Sequence, residues 1–242
     1  MRIALISDIH ANEIALRAVL VDIGRTGAEQ IVCLGDVATL GPSPRAVIEI
    51  LRERGCACIM GNHDEFLIDP ALIRSYSKEK PVTDAVEWCR GELGREDLDF
   101  VRGFERTRQI PLDQRSTLFV FHGSPRSNMV DILATTSADQ LDDMLVGADA
   151  TVMACGHTHL QMLRQHRGTL VVNPGSVGLP FKEYVSGRAP TVLAHAEYAT
   201  VEAADGRVSV SLHRVPLDVR ALREAAQASD VPLRDLLMQQ YS

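Results

Sequence analysis

The sequence lacks the long apolar run that a membrane protein needs. None of its hydrophobic stretches approaches the roughly 20 residues that cross a bilayer, so we expect no membrane-spanning segment. The start of the chain also lacks a basic segment, a long apolar centre and a small-residue cleavage site. These are the parts of a signal peptide, and we therefore expect a cytoplasmic protein.

A disulfide framework is missing as well. The five cysteines are an odd number, and no two of them form a CxxC motif. Without a secretion signal, this count argues against structural disulfides. Cys56 and Cys58 are spaced like half of a metal or redox site, but no second pair follows at zinc-site spacing. We interpret all five as small structural residues. They are Cys33, Cys56, Cys58, Cys89 and Cys155.

Net positive charge is absent too. The formal charge is −7, and the lysines and arginines are scattered rather than arranged in a stripe. A protein that binds long DNA or RNA normally carries such a stripe, so we do not expect that partner. An acidic protein can still bind phosphate if metal cations reverse the local field. The charge is therefore compatible with a small phosphorylated substrate.

Apolar residues are plentiful and regularly placed. They make up 45% of the 242 residues, which is enough for one large core. No internal repeat, low-complexity segment or linker divides the chain, so we predict a single domain over residues 1–242. Apolar runs at Arg2–Ser7, Gln30–Leu34 and Ala57–Met60 alternate with helical patterns. This alternation is typical of parallel βαβ units and predicts an α/β fold.

The first two predicted helices have recognisable ends. Asn12 is a possible N-cap of the first helix, and Gly24 lies near its expected C-terminus. Ser43 and Pro44 suit the N-cap and first position of the second helix, and Gly55 follows its end.

The rest of the chain mixes both kinds of element. Helical patterns run through residues 64–105, and after residue 160 the strand patterns suggest a second, partly antiparallel set of strands. The further strands are expected at Leu118–Phe121, Thr151–Cys155, Leu170–Val172, Thr191–Ala194 and Val208–Leu212. The further helices are expected at Asp139–Leu145, Val219–Ala228 and Leu233–Gln240.

Polar residues directly follow five of the predicted strands. In an open α/β sheet, ligands bind in the crevice beyond the carboxyl ends of the strands. Each motif is weak alone, since an Asp after a strand is often a helix cap or a turn, and a His pair can lie in a surface loop. Jointly they indicate one site at one edge of the sheet. The residues are Asp8, His10, Asp36, Asn62, His63, His122, His157 and His159.

The residue types in this set indicate metal chemistry. Carboxylate, amide oxygen and imidazole together suit Mn²⁺, Fe²⁺, Zn²⁺ or Ni²⁺. Two such ions about 3.5–4 Å apart need a bridging group, and a carboxylate can bridge them. The pair lowers the pKa of a shared water and clamps phosphoryl oxygens. We therefore expect two divalent transition-metal ions, with Mn²⁺ favoured, and the hydrolysis of phosphate esters.

Five short motifs contain these residues. They are Asp8-Ile9-His10, Gly35-Asp36, Gly61-Asn62-His63-Asp64, His122-Gly123 and Gly156-His157-Thr158-His159. In order and spacing, they resemble the motifs of the calcineurin-like metallophosphoesterases. The segments Gly123-Ser124-Pro125 and Asn173–Gly178 are most similar to the small bacterial phosphodiesterases of that superfamily. The resemblance implies a four-layer α/β/β/α sandwich of two mixed sheets flanked by helices.

The resemblance also implies a role for each residue. His63 would be catalytic, because it would stabilise the phosphate together with Asn62 and protonate the leaving group. The nucleophile would be a metal-bridging hydroxide. The implied activity is that of a phosphodiesterase acting on a small phosphodiester or nucleotide-like substrate. The implied ligands are Asp8, His10 and His159 for the first ion and Asn62, His122 and His157 for the second, with Asp36 as the bridge.

One departure from the family lies in the second motif. Serine/threonine phosphatases of the superfamily carry GDxxDRG there, and this chain has GDVATLG. Thr39 therefore replaces the Asp that orients the catalytic histidine, and Leu40 replaces the Arg that grips phosphate. This difference argues against protein-phosphatase activity and leaves His63 without a named partner.

Other polar residues are weaker candidates. Asn12 could act near the site or could only cap the first helix. Arg126, Lys182 and Arg188 could meet substrate phosphate, but we interpret them as solvated charges. Asn173–Gly178 is expected to form a tight turn near the metals. We interpret the remaining histidines as surface or edge-strand residues: His166, His195 and His213.

Alternative functions exist on the same fold. One member of the superfamily is a trafficking subunit that uses the fold as a binding scaffold and has lost catalytic positions. This chain keeps every implied ligand and His63, which argues against a scaffold. A phosphomonoesterase or a nuclease of the superfamily is the other alternative, although the acidic charge disfavours a nuclease. The sequence predicts no particular oligomeric state.

Overall fold

Alternating strands and helices open the chain, as the hydrophobic pattern predicts. The structure is a computed structural model that describes residues 1–185 and 190–241. The strands in these residues are β1 (Arg2–Ile6), β2 (Gln30–Cys33), β3 (Ala57–Cys58), β4 (Thr107–Pro111), β5 (Thr117–Phe121), β6 (Val152–Ala154), β7 (Met162–His166), β8 (Thr169–Asn173), β9 (His195–Ala204) and β10 (Arg207–Pro216). The helices are α1 (Glu13–Thr26), α2 (Pro44–Glu53), α3 (Asn62–Ile68), α4 (Ile73–Tyr76), α5 (Lys80–Glu92), α6 (Arg95–Arg102), α7 (Ala138–Met144), α8 (Val219–Ala228) and α9 (Arg234–Gln240).

The ends of α1 follow from its local sequence. The side chain of Asn12 accepts a hydrogen bond from the backbone N–H of Ala15, so Asn12 caps the helix. The helix continues past Gly24 to Thr26, and it ends where Gly27 takes the left-handed conformation that closes many helices. The C-terminus expected near Gly24 therefore lies slightly too early.

The first sheet has the strand order β10-β9-β1-β2-β3. Strands β1, β2 and β3 run parallel, with Ile3 opposite Gln30 and Cys33 opposite Cys58. Strands β9 and β10 extend the sheet with antiparallel pairs. The parallel half is the part that the βαβ pattern predicts.

The second sheet has the strand order β4-β5-β6-β8-β7. Strands β5, β6 and β8 run parallel in its centre. Strands β4 and β7 pair antiparallel at the two edges. Both sheets are therefore mixed, as expected.

Apolar side chains fill the spaces between four layers. Side chains of a strand alternate between its two faces. Ile3 and Leu5 of β1 therefore join Leu118 of β5 in the core between the sheets, whereas Ala4 and Ile6 face the core beneath α1 and α2. A third core lies between the second sheet and α7. The predicted α/β/β/α sandwich is confirmed.

The hydrophobic pattern did not predict two of the strands, and it misplaced a third. Edge strands β4 and β7 show little hydrophobic pattern, and Ile110 is the one buried residue of β4. The strand expected at Thr191–Ala194 is wrong, because the long strand β9 begins at His195 and Val192 makes only an isolated bridge to Phe181. Strand β9 is rich in alanine, which is a poor strand former, so its neighbours β1 and β10 decide its conformation.

The helices expected in residues 64–105 are present as α3 to α6. The first of them begins slightly earlier than expected, at Asn62. Within the described part of the chain, no helix is long and apolar enough to cross a membrane.

Every predicted metal ligand lies in the loops after β1, β2, β5 and β6 or, for Asn62, at the first position of α3, which follows β3. Backbone hydrogen bonds join these loops to one another. The N–H of Asp8 donates to the carbonyl of Gly35, and the N–H of Gly156 donates to the carbonyl of His122. The fold thus brings five separate segments to one place.

Candidate metal centre

The predicted ligands sit on an unusual backbone. Among the described residues, nine that are not glycine have a φ angle in the left-handed region. This conformation is costly for residues with a side chain, and it persists mainly at functional sites. Five of the nine are predicted ligands: Asp8, His10, Asp36, His157 and His159. The side chains of these five residues converge from separate loops.

Glycines allow these loops to approach closely. A side chain on Gly61 would clash with the carboxylate of Asp36, and one on Gly178 would clash with the carbonyl of Ile9. Close packing therefore requires glycine at both positions, since only a residue without a Cβ fits there.

Four side chains form the first ligand group, which we name the Asp8 cluster: Asp8, His10, Asp36 and His159. Each offers a ligand atom, and these atoms lie within 4.8 Å of one another. The Nε2 atoms of His10 and His159 are 3.0 Å apart, and His159 Nε2 is 3.3 Å from Asp8 Oδ1. All four residues are buried.

Three side chains form the second group, which we name the His122 cluster: Asp36, His122 and His157. The Nε2 atom of His122 is 3.5 Å from Asp36 Oδ2. It is also 3.1 Å from the side-chain oxygen of Asn62, which adds an amide oxygen to this group. Asp36 belongs to both clusters, so it is the residue that connects them.

The donor atoms fit divalent ions. Asp8 Oδ1 is buried and has no hydrogen-bond partner in the described residues, which is costly unless a cation approaches it. The Nδ1–H groups of His122 and His159 donate to the carbonyls of Leu34 and Leu179. When these rings are neutral, their Nε2 lone pairs therefore point into the clusters. Second hydrogen bonds of this kind orient metal-binding histidines in many proteins.

The carboxylates and imidazoles of the clusters stabilise each other's charged forms. Burial lowers the pKa of His122, but the carboxylates of Asp36 and Asp8 outweigh burial and raise that pKa to about 10. Burial also opposes ionisation of Asp36, yet His122 and His63 hold the pKa of its carboxyl well below the usual value. Asp36 is thus ionised, and a divalent ion at this place would replace protons held by the imidazoles.

Asp64 has a role that the sequence did not reveal. Its carboxylate accepts hydrogen bonds from the backbone N–H groups of Asp36, Val37 and Gly61, at 2.8, 2.9 and 2.9 Å. Burial and the neighbouring carboxylate of Asp36 raise the pKa of Asp64 to about 7. Asp64 therefore holds the loops after β2 and β3 together. Its place directly after Asn62-His63 was the only signal available in the sequence.

The segment Asn173–Gly178 forms a turn against the Asp8 loop, as predicted. The hydroxyl of Ser176 donates to the carbonyl of Asp8, and the N–H of Gly178 donates to the same carbonyl. Of the two alternatives for Asn12, the helix cap is present, and its side-chain amide also donates to the carbonyl of Gly178 in this turn.

His63 has a hydrogen-bond partner that its motif does not predict. Its Nδ1 atom lies 3.0 Å from the hydroxyl of Thr39. The ring also makes edge contacts with the rings of His10, Phe66 and Tyr76. Burial lowers the pKa of His63 to about 4, so its ring is neutral near pH 7.

Aromatic residues border the site. Phe181 stacks on His159 with ring centres 4.2 Å apart. Tyr76, which lies beside His63, and Tyr184 are both exposed. The hydroxyl of Tyr184 donates to Asp131 Oδ2, and Asp131 Oδ1 is 3.4 Å from His157 Nε2. No sequence signal points to Asp131, because it lies in a loop without a motif.

Among the described residues, the weaker basic candidates are exposed. Arg126 is exposed and donates to the carbonyl of Asp143, and Lys182 is exposed. Arg188 lies outside the described residues. His166 and His213 are on the edge strands β7 and β10, and His195 begins β9.

A comparison with known families agrees with the motifs. The family model of the calcineurin-like phosphoesterase superfamily domain matches residues 1–198 of this chain. The chain belongs to that superfamily. The resemblance inferred from the five motifs is confirmed, and members of this superfamily are metal-dependent phosphoesterases.

Individual relatives extend the likeness to nearly the whole chain. An uncharacterized protein of Methanocaldococcus jannaschii is 29% identical over 193 residues, which are 74% of this chain and 76% of that protein. A metallophosphoesterase structure from Sphaerobacter thermophilus is 27% identical, covers 100% of this chain and 98% of its own, and has a TM-score of 0.75. A hypothetical protein from Pyrococcus horikoshii OT3 is 20% identical, with coverage of 98% and 96% and a TM-score of 0.81. The last likeness shows a shared fold.

Proposed function

We propose that this protein is a metal-dependent phosphodiesterase that acts on a small phosphodiester or nucleotide-like substrate. The observation that carries the proposal is the pair of ligand clusters that share Asp36. One shared carboxylate between two groups of imidazoles is the arrangement that a two-metal hydrolase requires. Membership of the calcineurin-like phosphoesterase superfamily supports the same reaction class.

In this proposal, each cluster holds one divalent ion. Asp8, His10 and His159 bind the first ion, Asn62, His122 and His157 bind the second, and Asp36 binds both. The mixture of imidazole, carboxylate and amide oxygen suits Mn²⁺, with Fe²⁺, Zn²⁺ and Ni²⁺ as alternatives. When bound, two such ions acidify water and neutralise charge on phosphoryl oxygens.

His63 assists the leaving group. None of the described residues hydrogen-bonds its Nε2 atom, whereas Nδ1 is bonded to Thr39. The Nε2–H of a neutral ring is a hydrogen-bond donor, and it is free to meet the oxygen of the departing alcohol. Asn62, the neighbour of His63, contacts the substrate phosphate while its side-chain oxygen faces the second ion.

The second motif favours a diester over a phosphoprotein. Leu40 occupies the position of the phosphate-gripping arginine, and it packs among apolar residues beside Phe66 and Ile73. A phosphomonoester carries two negative charges near pH 7, and without that arginine this site has fewer groups to neutralise them. A diester carries one negative charge and needs less neutralisation.

The rim of the site supports a substrate with an organic group on each side of the phosphate. Tyr76 and Tyr184 are large, exposed aromatic side chains that border the two clusters. An aromatic ring offers a flat surface on which a base can stack, at about 1–3 kcal/mol per base. This arrangement fits a nucleotide-like diester.

A hydrolysis panel tests the proposal. Protein loaded with Mn²⁺ should be compared with metal-free protein on bis-p-nitrophenyl phosphate, p-nitrophenyl phosphate, cyclic nucleotides, dinucleoside polyphosphates and a phosphopeptide. We expect metal-dependent turnover that is faster for the diesters. If the phosphopeptide is turned over faster than every diester, the substrate class is wrong. If the protein binds two ions and turns over no phosphate ester, the chain is a scaffold.

A further inference from the structure

The hydroxyl of Thr39 lies between two histidines. Its Oγ1 atom is 3.2 Å from Nδ1 of His10 and 3.0 Å from Nδ1 of His63. Thr39 is fully buried, so no water competes with these two contacts. A hydroxyl donates one hydrogen bond and can accept others. It can therefore accept from one ring and donate to the other.

The direction of the two hydrogen bonds to Thr39 follows from the surroundings of His10 Nε2, the ring nitrogen opposite Nδ1. The Nε2 atoms of His10 and His159 face each other at 3.0 Å, and the Nδ1–H of His159 is committed to the carbonyl of Leu179. If both Nε2 atoms face one cation, neither carries a proton. His10 must then carry its proton on Nδ1 and donate it to the oxygen of Thr39. The hydroxyl proton of Thr39 is left to point at Nδ1 of His63.

We propose that Thr39 is a positioning residue that selects the tautomer of His63. By donating to Nδ1, the hydroxyl makes that nitrogen an acceptor and leaves the proton of the neutral ring on Nε2. This inference rests on the proposed function, in which Nε2–H of His63 meets the leaving group. It adds that the ligand His10 and the catalytic His63 are connected through a single hydroxyl.

A carboxylate at this position would have the opposite effect. An ionised carboxylate only accepts hydrogen bonds, so it holds the proton of a neighbouring histidine on Nδ1. Thr39 is therefore not a weak copy of the aspartate that other branches of the superfamily carry here. The ring of His63 is also held by edge contacts with Phe66 and Tyr76, so the hydroxyl needs to set only the proton position.

The tautomer can be read without any activity measurement. We suggest ¹⁵N NMR of the histidine side chains in the zinc-loaded protein, because Zn²⁺ has a filled d shell and does not broaden the signals. The spectrum of His63→Ala assigns the His63 signals. In the natural protein we expect an unprotonated Nδ1 and a protonated Nε2 on His63. A protonated Nδ1 in this spectrum overturns the proposal, and this test requires no variant of Thr39.

Two substitutions test whether Thr39 is the cause. Thr39→Ser keeps the hydroxyl and should preserve the tautomer, whereas the nearly isosteric Thr39→Val removes the hydroxyl and should abolish the preference. Thr200→Val is a matched control, because the Thr200 hydroxyl also bonds a histidine, His213, but on the outer strands of the first sheet. An unchanged His63 tautomer in Thr39→Val would overturn the proposal.

Kinetics separate this proposal from the role of His63. Thr39→Val should lower kcat about 10–100-fold on a diester with an alkyl leaving group, as loss of an orienting partner does. The loss should be smaller with p-nitrophenol as the leaving group. Both rates should be measured at saturating metal, because Thr39 also contacts the proposed ligand His10. If His63→Ala loses equal rate on both leaving groups while the tautomer is as expected, the role of His63 in assisting the leaving group fails and the tautomer assignment stands.

Discussion

The two ligand clusters differ in charge and in surroundings. The Asp8 cluster contains two carboxylates, Asp8 and Asp36, whereas the His122 cluster contains Asp36 alone and an uncharged amide from Asn62. The Asp8 cluster is covered by Phe181, which stacks on His159. The His122 cluster borders Asp131, whose side chain is 39% exposed.

If each cluster holds one ion, as proposed, this difference gives the two ions different tasks. Each added carboxylate strengthens the binding of a cation, and the effect is larger where water is excluded. The Asp8 cluster should therefore hold its ion more tightly, and it is also the cluster that contacts His63 through Thr39. The His122 cluster, next to the exposed rim, is better placed for exchange of ions and substrate.

Asp36→Asn should have the largest effect, because it breaks both clusters at once. Each ion contributes several kcal/mol to stabilising the transition state. Losing both corresponds to a decrease in kcat/KM on the order of 10⁵-fold. Elemental analysis should show less than two ions per chain. The control is Asp142→Asn, a partly exposed carboxylate that pairs with Arg167 and His166 away from the site. Two ions and normal turnover in Asp36→Asn would refute the shared-ligand assignment.

His63→Ala should leave the clusters intact and remove the Nε2–H that donates a hydrogen bond to the leaving oxygen. Such a group is typically worth about 10²–10⁴ in rate. We expect a decrease of this size in kcat, larger for alkyl or nucleoside leaving groups than for p-nitrophenol. Metal content should stay at the natural value. A variant that loses an ion would instead identify His63 as a ligand.

Chelation should distinguish the clusters without any mutation. During dialysis of the Mn²⁺-loaded protein against increasing concentrations of a chelator, we expect the ion of the His122 cluster to leave first. The difference of one carboxylate is expected to change the dissociation constant more than about tenfold. Repeating the dialysis with Asp8→Asn should reduce or remove the gap. Simultaneous loss of both ions from the natural protein contradicts the asymmetry.

Asp131→Asn should have the smallest effect. Its carboxylate lies beside His157 and is held by the hydroxyl of Tyr184, but it is partly exposed and outside both clusters. Loss of an outer partner costs about 10–100-fold, and exposure places Asp131 at the low end. We expect an approximately tenfold weaker second ion, measured by metal titration, and a similar change in Tyr184→Phe. A complete loss of the ion would make Asp131 a ligand itself.

Local sequence determined much of this protein. Apolar runs followed by a polar turn predicted strands that lead into the candidate ligands, and the structure places Asp8, Asp36 and Asn62 within four residues of the ends of β1, β2 and β3. This works because a buried strand and the sharp turn after it are both encoded by adjacent residues. The family and the four-layer fold followed from the order of these motifs.

Tertiary structure decided the elements that have no local signal. The alanine-rich β9 is a strand because β1 and β10 flank it, and the edge strand β4 is defined by its pairing with β5. Burial between neighbours outweighs the intrinsic preference of such residues. The prediction from the sequence therefore missed or misplaced these strands.

Tertiary structure alone also supplied the partners of the ligands. Thr39 and His10 are 29 positions apart in the chain. Asp131 and His157 are separated by α7 and β6. A hydrogen bond between side chains depends on distances that only the packed sheets set. The sequence by itself thus pointed to the residues that we propose carry the chemistry, and the fold decided which hydroxyl and carboxylate contact them.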